Sequence, residues 1–431
     1  MDGKVSTQNL INIIYDVFAA IPDRVNKLCR DIKLVDSLMS GYALFSLKCP
    51  SLLQFDIGFR KDLEKHNLKT LFKVEHVPSD TYMREVLDEV DPQKYLRKVF
   101  NKLWANFQRG KFLKLLEFFG GRYLMPLDGT GYFYSDKVHC EHCCEKHHKD
   151  GSVSYYHQML GAAMVHPDYK IALPFAPEPI MKSDGAKKND CERRAAGRFL
   201  DAFKREHPHM KMIVTGDSLF SNGPFIKRLK SDAHQFILVA KELDHKYLFD
   251  EFRALAKDEY ETSQQGTKHR FKFMNGLPLN DSHPDCIVNV LEYWEETKNK
   301  TQHWVWVTDI PLSKETVFQV MKGGRARCKI ENETFNTLKN QGYHFEHNFG
   351  HGKNHLSTVF AYLMNIAFFV DQLRQLCCKK FKKALARLGS KKALWEMQRT
   401  LFFGYYIDDW ETLMNALADG HKGAKLEFNS S

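Results

Sequence analysis

Three short segments, far apart in the chain, each place one carboxylate where two strand ends and a helix would meet. Asp128 lies in Leu-Asp-Gly-Thr-Gly-Tyr-Phe, Asp217 follows Met-Ile-Val-Thr-Gly, and Glu331 lies in Arg-Cys-Lys-Ile-Glu-Asn. The first two segments are apolar and β-branched, whereas the third has helical periodicity. Carboxylates that converge from such elements suit Mg²⁺ or Mn²⁺, because these cations prefer oxygen ligands. The sequence therefore predicts a fold in which these elements come together.

Each carboxylate also has a simpler interpretation. Asp128 would alternatively be a solvated surface group, although a charged side chain inside a strand is costly unless it is exposed or liganded. Asp217 would alternatively cap a following helix. Glu331 would alternatively pair with Arg327 one helical turn earlier, a surface contact worth only about 0.3–0.5 kcal/mol. These alternatives remain open from the sequence.

The order of predicted elements after residue 121 indicates an α+β fold. Strands are predicted over residues 123–134, 152–165, 169–175, 211–215 and 235–240, with helices before and after the fourth. The resulting order β-β-β-α-β-α-β is that of an RNase H-like mixed sheet with flanking helices. Segments of alternating apolar and polar residues within 243–311 predict a mainly β insertion before the helix that carries Glu331.

Five regions follow from these patterns. They are a helical region (1–120), the first part of an RNase H-like catalytic core (121–242), a mainly β insertion (243–311), the final part of the core (312–370) and a helical basic C-terminal region (371–431). The first region is interpreted as a DNA-binding region or, equally well, as a helical bundle with a solvated basic face. The chain has 63 basic and 53 acidic residues, and the net charge of +10 weakly favours a polyanionic partner.

The sequence predicts a cytoplasmic protein that does not span a membrane. Ten cysteines occur without an even framework, which is typical of a reducing compartment. The polar start of the chain gives no signal-peptide pattern. The longest apolar stretch, residues 359–370, contains Asn365 and is too short to span a bilayer, so we expect a buried helix there.

The chain resembles the DDE transposases of bacterial insertion sequences, whose RNase H-like core is interrupted by a β insertion before the final Glu. The resemblance covers about residues 79–370 and is carried by the segments 127–133, 214–220, 324–339 and 345–353. Relatives of this kind have a Tyr–Arg–Glu–Lys signature around the Glu. Arg327 and Glu331 keep the expected spacing, whereas Gly324 occupies the Tyr position and Lys339 lies one residue late.

The resemblance implies an enzyme in which Asp128, Asp217 and Glu331 bind two Mg²⁺ or Mn²⁺ ions. Such an enzyme binds the inverted-repeat ends of a transposon, cleaves double-stranded DNA and joins the freed 3′-OH to target DNA. It implies a homodimer in the DNA complex and association with the bacterial nucleoid. The alternatives are an RNase H-like nuclease or resolvase without strand transfer, and a catalytically idle, domesticated DNA-binding protein.

Further side chains are candidates for DNA contacts. Arg327 and Lys339 would bind phosphates beside the metal site, and Lys353 lies in a Gly-rich loop that leads into a helix N-terminus, which attracts phosphate. Trp304 and Trp306 are two residues apart and face one side of a predicted strand. The resemblance suggests that an aromatic of the insertion stacks on a flipped base. Core packing is the alternative, and we expect it for at least one of the two.

Cys140, Cys143, His147 and His157 have spacings that zinc sites permit. A structural Zn²⁺ bound by these residues would cross-link the connection after the first strand. The alternative is a polar hairpin loop that merely contains Cys and His, since only one Cys-x-x-Cys pair is present.

Overall fold

The computed structural model describes residues 5–23, 32–182, 191–264, 266–420 and 427–428 of the 431-residue chain. The first region is helical, and Ser6, Ser51 and Ser79 each cap a helix by accepting a backbone N–H. The helices are α1 (Thr7–Ala19), α2 (Leu34–Ser46), α3 (Leu52–Gly58), α4 (Asp62–Phe72), α5 (Asp80–Asp88) and α6 (Arg97–Arg109), followed by a 3₁₀ turn (Phe112–Leu116).

Eleven of the described strands form one sheet. They are β1 (Tyr123–Ser135), β2 (Cys144–His147), β3 (Val153–Val165), β4 (Ala172–Pro174), β5 (Glu178–Ile180), β6 (Met212–Gly216), β7 (Gln235–Val239), β8 (Asp258–Gln264), β9 (Thr267–Asn280), β10 (His283–Glu296) and β11 (Thr301–Thr308). Their order is β2-β3-β1-β6-β7-β11-β10-β9-β8, and β4 and β5 both pair with β3. Helices α7 (Glu192–Glu206) and α8 (Gly223–Ser231) precede and follow β6, and α9 (Lys246–Leu255) precedes β8.

The predicted mixed α+β fold is confirmed. β1, β3 and β4 form an antiparallel meander, and β1, β6 and β7 are parallel. The strand order β4-β3-β1-β6-β7 is the one expected for an RNase H-like core. The short strands β2 and β5 were not predicted.

The mainly β segment before the Glu331 helix continues the sheet instead of forming a separate one. β11 pairs antiparallel with β7, with Trp306 opposite Val239 and Thr308 opposite Ile237. β10, β9 and β8 then follow outward by antiparallel pairing. The predicted boundaries 1–120, 121–242, 243–311, 312–370 and 371–431 stay predictions. One sheet contains strands from both sides of the boundary at 242, and the helix Leu356–Cys377 runs across the boundary at 370.

The two faces of the sheet bury two separate hydrophobic clusters. One face carries Leu124, Ile213 and Ile237, and the other carries Met125, Val214 and Leu238. The first face is covered by α10 (Val317–Arg325) and by the π-helical segment Ile330–Phe335. The short helix α11 (Asn336–Asn340) follows, and its Leu338 belongs to the other cluster. The second is covered by α12 (Leu356–Cys377) and by the N-terminal helices. The Glu331 segment therefore lies on β1, the strand that carries Asp128, and on its neighbour β3.

Helix α12 is the central helix of the larger cluster. It is long and apolar enough to cross a membrane, but it is buried within the protein along its whole apolar window, as expected for the stretch at 359–370. It is followed by α13 (Lys379–Leu388), α14 (Lys391–Gly404), the two-residue strand β12 (Tyr405–Tyr406), α15 (Trp410–Asp419) and β13 (Glu427–Phe428).

The N-terminal helices share this core. Trp104 of α6 stacks on Phe175 with ring centroids 4.6 Å apart, and its indole N–H donates to the Pro174 carbonyl at 3.1 Å. Lys98, Lys102 and Arg109 on the same helix remain exposed. A basic surface therefore accompanies a helix that packs against the central sheet.

Candidate active site

Two neighbouring parallel strands bring Asp128 and Asp217 together. The last paired residues of β1 and β6 are Pro126 and Thr215, and each aspartate lies two residues further along its strand. Because side chains alternate along a strand, both carboxylates project from the same face as these paired residues. The carboxyl ends of parallel strands are common ligand sites. The predicted meeting of the two aspartates is thus explained by strand register.

Local hydrogen bonds hold both carboxylates. The Gly129 N–H donates to Asp128 Oδ1 at 3.0 Å, and the Leu219 N–H donates to Asp217 Oδ1 at 3.0 Å. The following helix α8 is capped by Asn222, whose side-chain oxygen accepts the Phe225 N–H at 3.1 Å. Asp217 is therefore not the cap of that helix, which was its alternative interpretation.

The segment that carries Glu331 packs on the strand pair beside Asp128. Asp128 is opposite Gly161 of β3. A Cβ atom at Gly161 would lie 2.7 Å from Phe335 Cε1, so the missing side chain makes room for that ring. A 3₁₀ turn over Ala326–Cys328 leads into the π-helical segment Ile330–Phe335, and π-helical turns often occur at functional sites. The Glu331 side chain is exposed to solvent.

Electrostatics links the three carboxylates. Burial raises the pKa of Asp128, Arg327 opposes that increase, and the charges of Asp217 and Glu331 add to it. Arg327 Nη1 lies 3.3 Å from Asp128 Oδ2. Arg327 thus pairs with the strand-borne carboxylate, whereas the simpler interpretation paired it with Glu331. This arrangement concentrates negative charge at one edge of the parallel strands.

A fourth carboxylate, Glu192, was not predicted. It lies in the first turn of α7, and its Oε1 fills the space that a side chain at Gly129 would need. Burial raises the pKa of Glu192, and the charges of Asp128 and Asp217 raise it further. No sequence pattern singles out Glu192, because an acidic residue in a first helical turn is ordinary.

Glu333, two residues after Glu331 in the same π-helical segment, has a different neighbour. It interacts with Lys391 at the start of α14, where burial lowers the pKa of the lysine and the Glu333 charge opposes that decrease. Of the two carboxylates in the π-helical segment, Glu331 is therefore the one that acts on Asp128.

The predicted phosphate contacts have different surroundings. Lys339 Nζ lies 2.8 Å from Glu346 Oε1, so this lysine is already paired. The Lys353 side chain is exposed. However, the backbone N–H groups of residues 353–356 all donate to the carboxylate of Asp88, at 2.9–3.2 Å. The backbone amides at the N-terminus of α12 therefore already have an acceptor, and the expectation that they bind a phosphate is wrong. Phosphate binding by the Lys353 side chain stays a prediction.

The two tryptophans differ in burial. Trp306 is 1% exposed, and a Cβ atom at Gly324 would lie 2.5 Å from its indole. Trp306 is thus a core residue, which confirms core packing for one of the pair and excludes base stacking by this ring in this structure. Trp304 is half-buried and has the Arg325 guanidinium 4.7 Å from its ring centroid.

The tightest group of potential metal ligands among the described residues lies elsewhere, beside β3. Ligand atoms of Cys140, Cys143, His157 and His351 all lie within 4.8 Å of one another. The prediction of His147 as a metal ligand is wrong, because its side chain is 72% exposed and its Nε2 lies 3.4 Å from Glu145 Oε2. His147 is on the edge strand β2, whose last residues extend away from the cluster.

Comparison with known proteins gives a likeness in structure but none in sequence. No protein-family model matches the chain, and no curated protein matches it in sequence. A solved structure of a piggyBac transposase in a synaptic complex with hairpin DNA is similar to it, with a TM-score of 0.44 and 10% sequence identity over 97% of this chain and 80% of that one.

Proposed function

We propose that the protein is a DNA transposase that cleaves DNA strands and joins 3′-OH ends to target DNA. The observation that carries this proposal is that Asp128 and Asp217 each lie two residues beyond the last residues that pair the parallel strands β1 and β6, with the Glu331 segment packed beside Asp128. Two carboxylates at strand ends and one on a helix, on an RNase H-like strand order, are suited to metal-dependent phosphoryl transfer.

The residues fit a pair of divalent cations. The pKa increases of Asp128 and Glu192 arise from burial and from repulsion among the neighbouring carboxylates, and bound Mg²⁺ or Mn²⁺ would relieve both. Asp128, Asp217 and Glu331 would hold the ions, and Glu192 is close enough to contribute a further oxygen. Such ions activate an attacking oxygen and stabilise the leaving one.

The side chains of the protein supply position and charge. The aspartates lie on rigid paired strands, which fix the distance between them. Arg327 is 26% exposed and pairs with Asp128 through Nη1. A guanidinium has five N–H donors, so Arg327 is suited to hold a DNA phosphate beside the carboxylates. Lys339, Lys353 and Trp304 are proposed as weaker, more distant DNA contacts.

The proposal extends to partners and location. The net charge of +10 and the exposed cations of α6 favour DNA as the partner. Pairing two transposon ends requires two active sites, so we propose a homodimer in the DNA complex. A bacterial insertion sequence as the source, and a cytoplasmic, nucleoid-associated location, belong to the same proposal.

One experiment separates the transposase from its alternatives. The full-length protein is incubated with duplexes that carry the DNA flanking its reading frame and with a supercoiled target plasmid, in Mg²⁺, Mn²⁺, Ca²⁺ or excess chelator. A transposase cuts the flanking duplex and joins its 3′ end to the plasmid in Mg²⁺ or Mn²⁺ only. Cleavage without joining supports a nuclease or resolvase, and binding without cleavage supports an idle DNA-binding protein. Cleavage in excess chelator would exclude the metal-dependent mechanism.

A further inference from the structure

Four side chains from three separate parts of the chain converge beside the β1–β3 hairpin. Cys140 and Cys143 lie in the connection that leads into β2, His157 lies on β3, and His351 precedes α12. The two sulfurs are 3.8 Å apart. His157 Nε2 lies 3.5 Å from Cys140 Sγ and 3.4 Å from Cys143 Sγ, and His351 Nε2 lies 3.4 Å from Cys143 Sγ.

These separations match a tetrahedral metal site. With metal–sulfur bonds of about 2.3 Å and metal–nitrogen bonds of about 2.0–2.1 Å, tetrahedral angles place two sulfurs about 3.8 Å apart and a sulfur and a nitrogen about 3.5 Å apart. Two thiolates and two imidazoles in tetrahedral geometry select Zn²⁺ among the common metals. A disulfide does not account for the cluster, because its sulfurs would be about 2.05 Å apart.

The surroundings of the two histidines fix their rings by packing. Tyr132 stacks on His157 with centroids 5.7 Å apart, and Phe133 lies 4.3 Å from the His351 ring. Both Nε2 atoms face the sulfurs, whereas both Nδ1 atoms are buried with no hydrogen-bond partner among the described residues. Cys143 and His157 are each 1% exposed. Burying two thiols and two imidazole Nε2 atoms against one another is costly unless something in the centre binds them.

We propose that Cys140, Cys143, His157 and His351 bind one structural Zn²⁺ ion. Four protein ligands leave no open coordination position, so the site is structural and not catalytic. Phe133, opposite His157, lies five residues beyond Asp128 on β1, which corresponds to about 17 Å along the strand. His351 lies between the Glu331 segment and α12. The ion would therefore anchor the chain after Glu331 to β3, which pairs with the strand that carries Asp128, and to the connection that follows that strand.

The test compares His351→Ala with His147→Ala in the full-length protein. Both changes remove one imidazole, but only His351 is in the cluster. Wild type and His147→Ala, purified reduced and without chelator, should each contain about one zinc per chain by elemental analysis, and His351→Ala should contain much less. Zinc loss in His147→Ala with retention in His351→Ala would overturn the assignment.

A second measurement uses only the wild-type protein, so it does not depend on whether a variant folds. Zinc is removed with a chelator and Co²⁺ is added. A Cys₂His₂ tetrahedral site should give intense visible d–d bands and sulfur-to-cobalt charge transfer in the near ultraviolet, and Zn²⁺ should displace the cobalt. A chain that takes up neither Co²⁺ nor Zn²⁺ under reducing conditions would refute the site. DNA cleavage is not measured in either experiment, so the proposed transposase function is tested separately.

Discussion

Gly324 stands where the resemblance places a tyrosine, and packing explains the difference. The indole of Trp306 occupies the space beside its Cα, and Trp306 comes from the segment inserted before the Glu331 helix. A larger residue at 324 and a tryptophan at 306 exclude each other sterically. In this chain, the space beside Gly324 is therefore filled by the buried Trp306 and not by a tyrosine at position 324.

Replacing Gly324 with alanine should destabilise the protein by about 1–3 kcal/mol, because the added methyl group would overlap the Trp306 ring. Gly197→Ala is the matched control: it lies on α7 with nothing within 4 Å of its Cβ position, so alanine there should be neutral or stabilising by about 0.5–1 kcal/mol. Urea unfolding of both variants measures the difference. Equal effects of the two changes would contradict the packing argument.

Glu192 gives a prediction with a definite sign in pH. Its folded-state pKa lies above the ordinary value of 4.5, so its ionised form opposes folding above the folded-state pKa, and this opposition disappears as the pH falls below 4.5. In metal-free protein, Glu192→Gln should raise the free energy of unfolding by about 0.5–1 kcal/mol at neutral pH and by less near about pH 5.

The control for this prediction is Glu315→Gln. Glu315 accepts a hydrogen bond from Ser313, which lowers its pKa, so its removal should give no gain in stability. If Glu192 also binds metal, saturating Mn²⁺ should stabilise wild type more than Glu192→Gln. A Glu192→Gln protein that is less stable than wild type at neutral pH without metal would show that the carboxylate is not repelled by its neighbours.

At the scale of elements, the position of the Glu331 segment depends on a glycine in a neighbouring strand. Gly161→Ala should push Phe335 and its π-helical segment away from β3. A displacement of about 1 Å near reacting groups costs up to about 100-fold in rate. Single-turnover cleavage should therefore fall by about 10–100-fold while DNA affinity is retained.

Gly131→Ala on β1 is the control for Gly161→Ala, because the nearest atom to its Cβ position is a carbonyl oxygen 3.8 Å away. It should leave cleavage nearly unchanged. Adding Phe335→Leu to Gly161→Ala should restore part of the activity by making room. Loss of cleavage in Gly131→Ala to the same extent would show that the strand pair, and not the contact with Phe335, is responsible.

The sequence predicted elements whose signal is local. The strands predicted over 211–215 and 235–240 are observed as Met212–Gly216 and Gln235–Val239, because short β-branched runs bounded by turns have a clear pattern. Pairing between distant segments has no such local pattern. The join of β11 to β7 and the use of His351, 208 residues after Cys143, depend on tertiary packing. Sequence spacing predicts His147 as a ligand because it lies four residues after Cys143, but spacing cannot show the His351 side chain that packs there instead.

At the scale of the whole molecule, a buried charge network joins three regions. Lys48 follows α2, Tyr343 lies in the loop after α11, and Asp371 is on α12. Lys48 Nζ and the Tyr343 hydroxyl lie 2.7 and 2.6 Å from Asp371 Oδ2, and Arg374 Nη1 lies 3.2 Å from Oδ1. Burial lowers the pKa of Lys48, and the Asp371 charge opposes that decrease.

Removing Asp371 should therefore leave two buried cations without their partner. We expect Asp371→Ala to cost about 3–5 kcal/mol of unfolding free energy. Glu411→Ala, which breaks the exposed pair between Lys380 and Glu411 at 2.7 Å, should cost at most about 1 kcal/mol. Urea midpoints compare the two variants. Similar small effects would mean that the network does not stabilise the assembly of these regions.

The central claim, that Asp128, Asp217 and Glu331 form one metal-dependent site, is tested most directly by single-turnover cleavage of Glu331→Gln beside Glu333→Gln. The two glutamates are two residues apart in the same segment, but Glu331 acts on Asp128 and Glu333 interacts with Lys391. Glu331→Gln should lower cleavage by about 10²–10³-fold or more in Mg²⁺, as for loss of a group that stabilises the transition state. DNA affinity should persist, because it depends on cations. Glu333→Gln should cleave nearly as fast as wild type. Normal cleavage by Glu331→Gln, with loss in Glu333→Gln, would contradict the account.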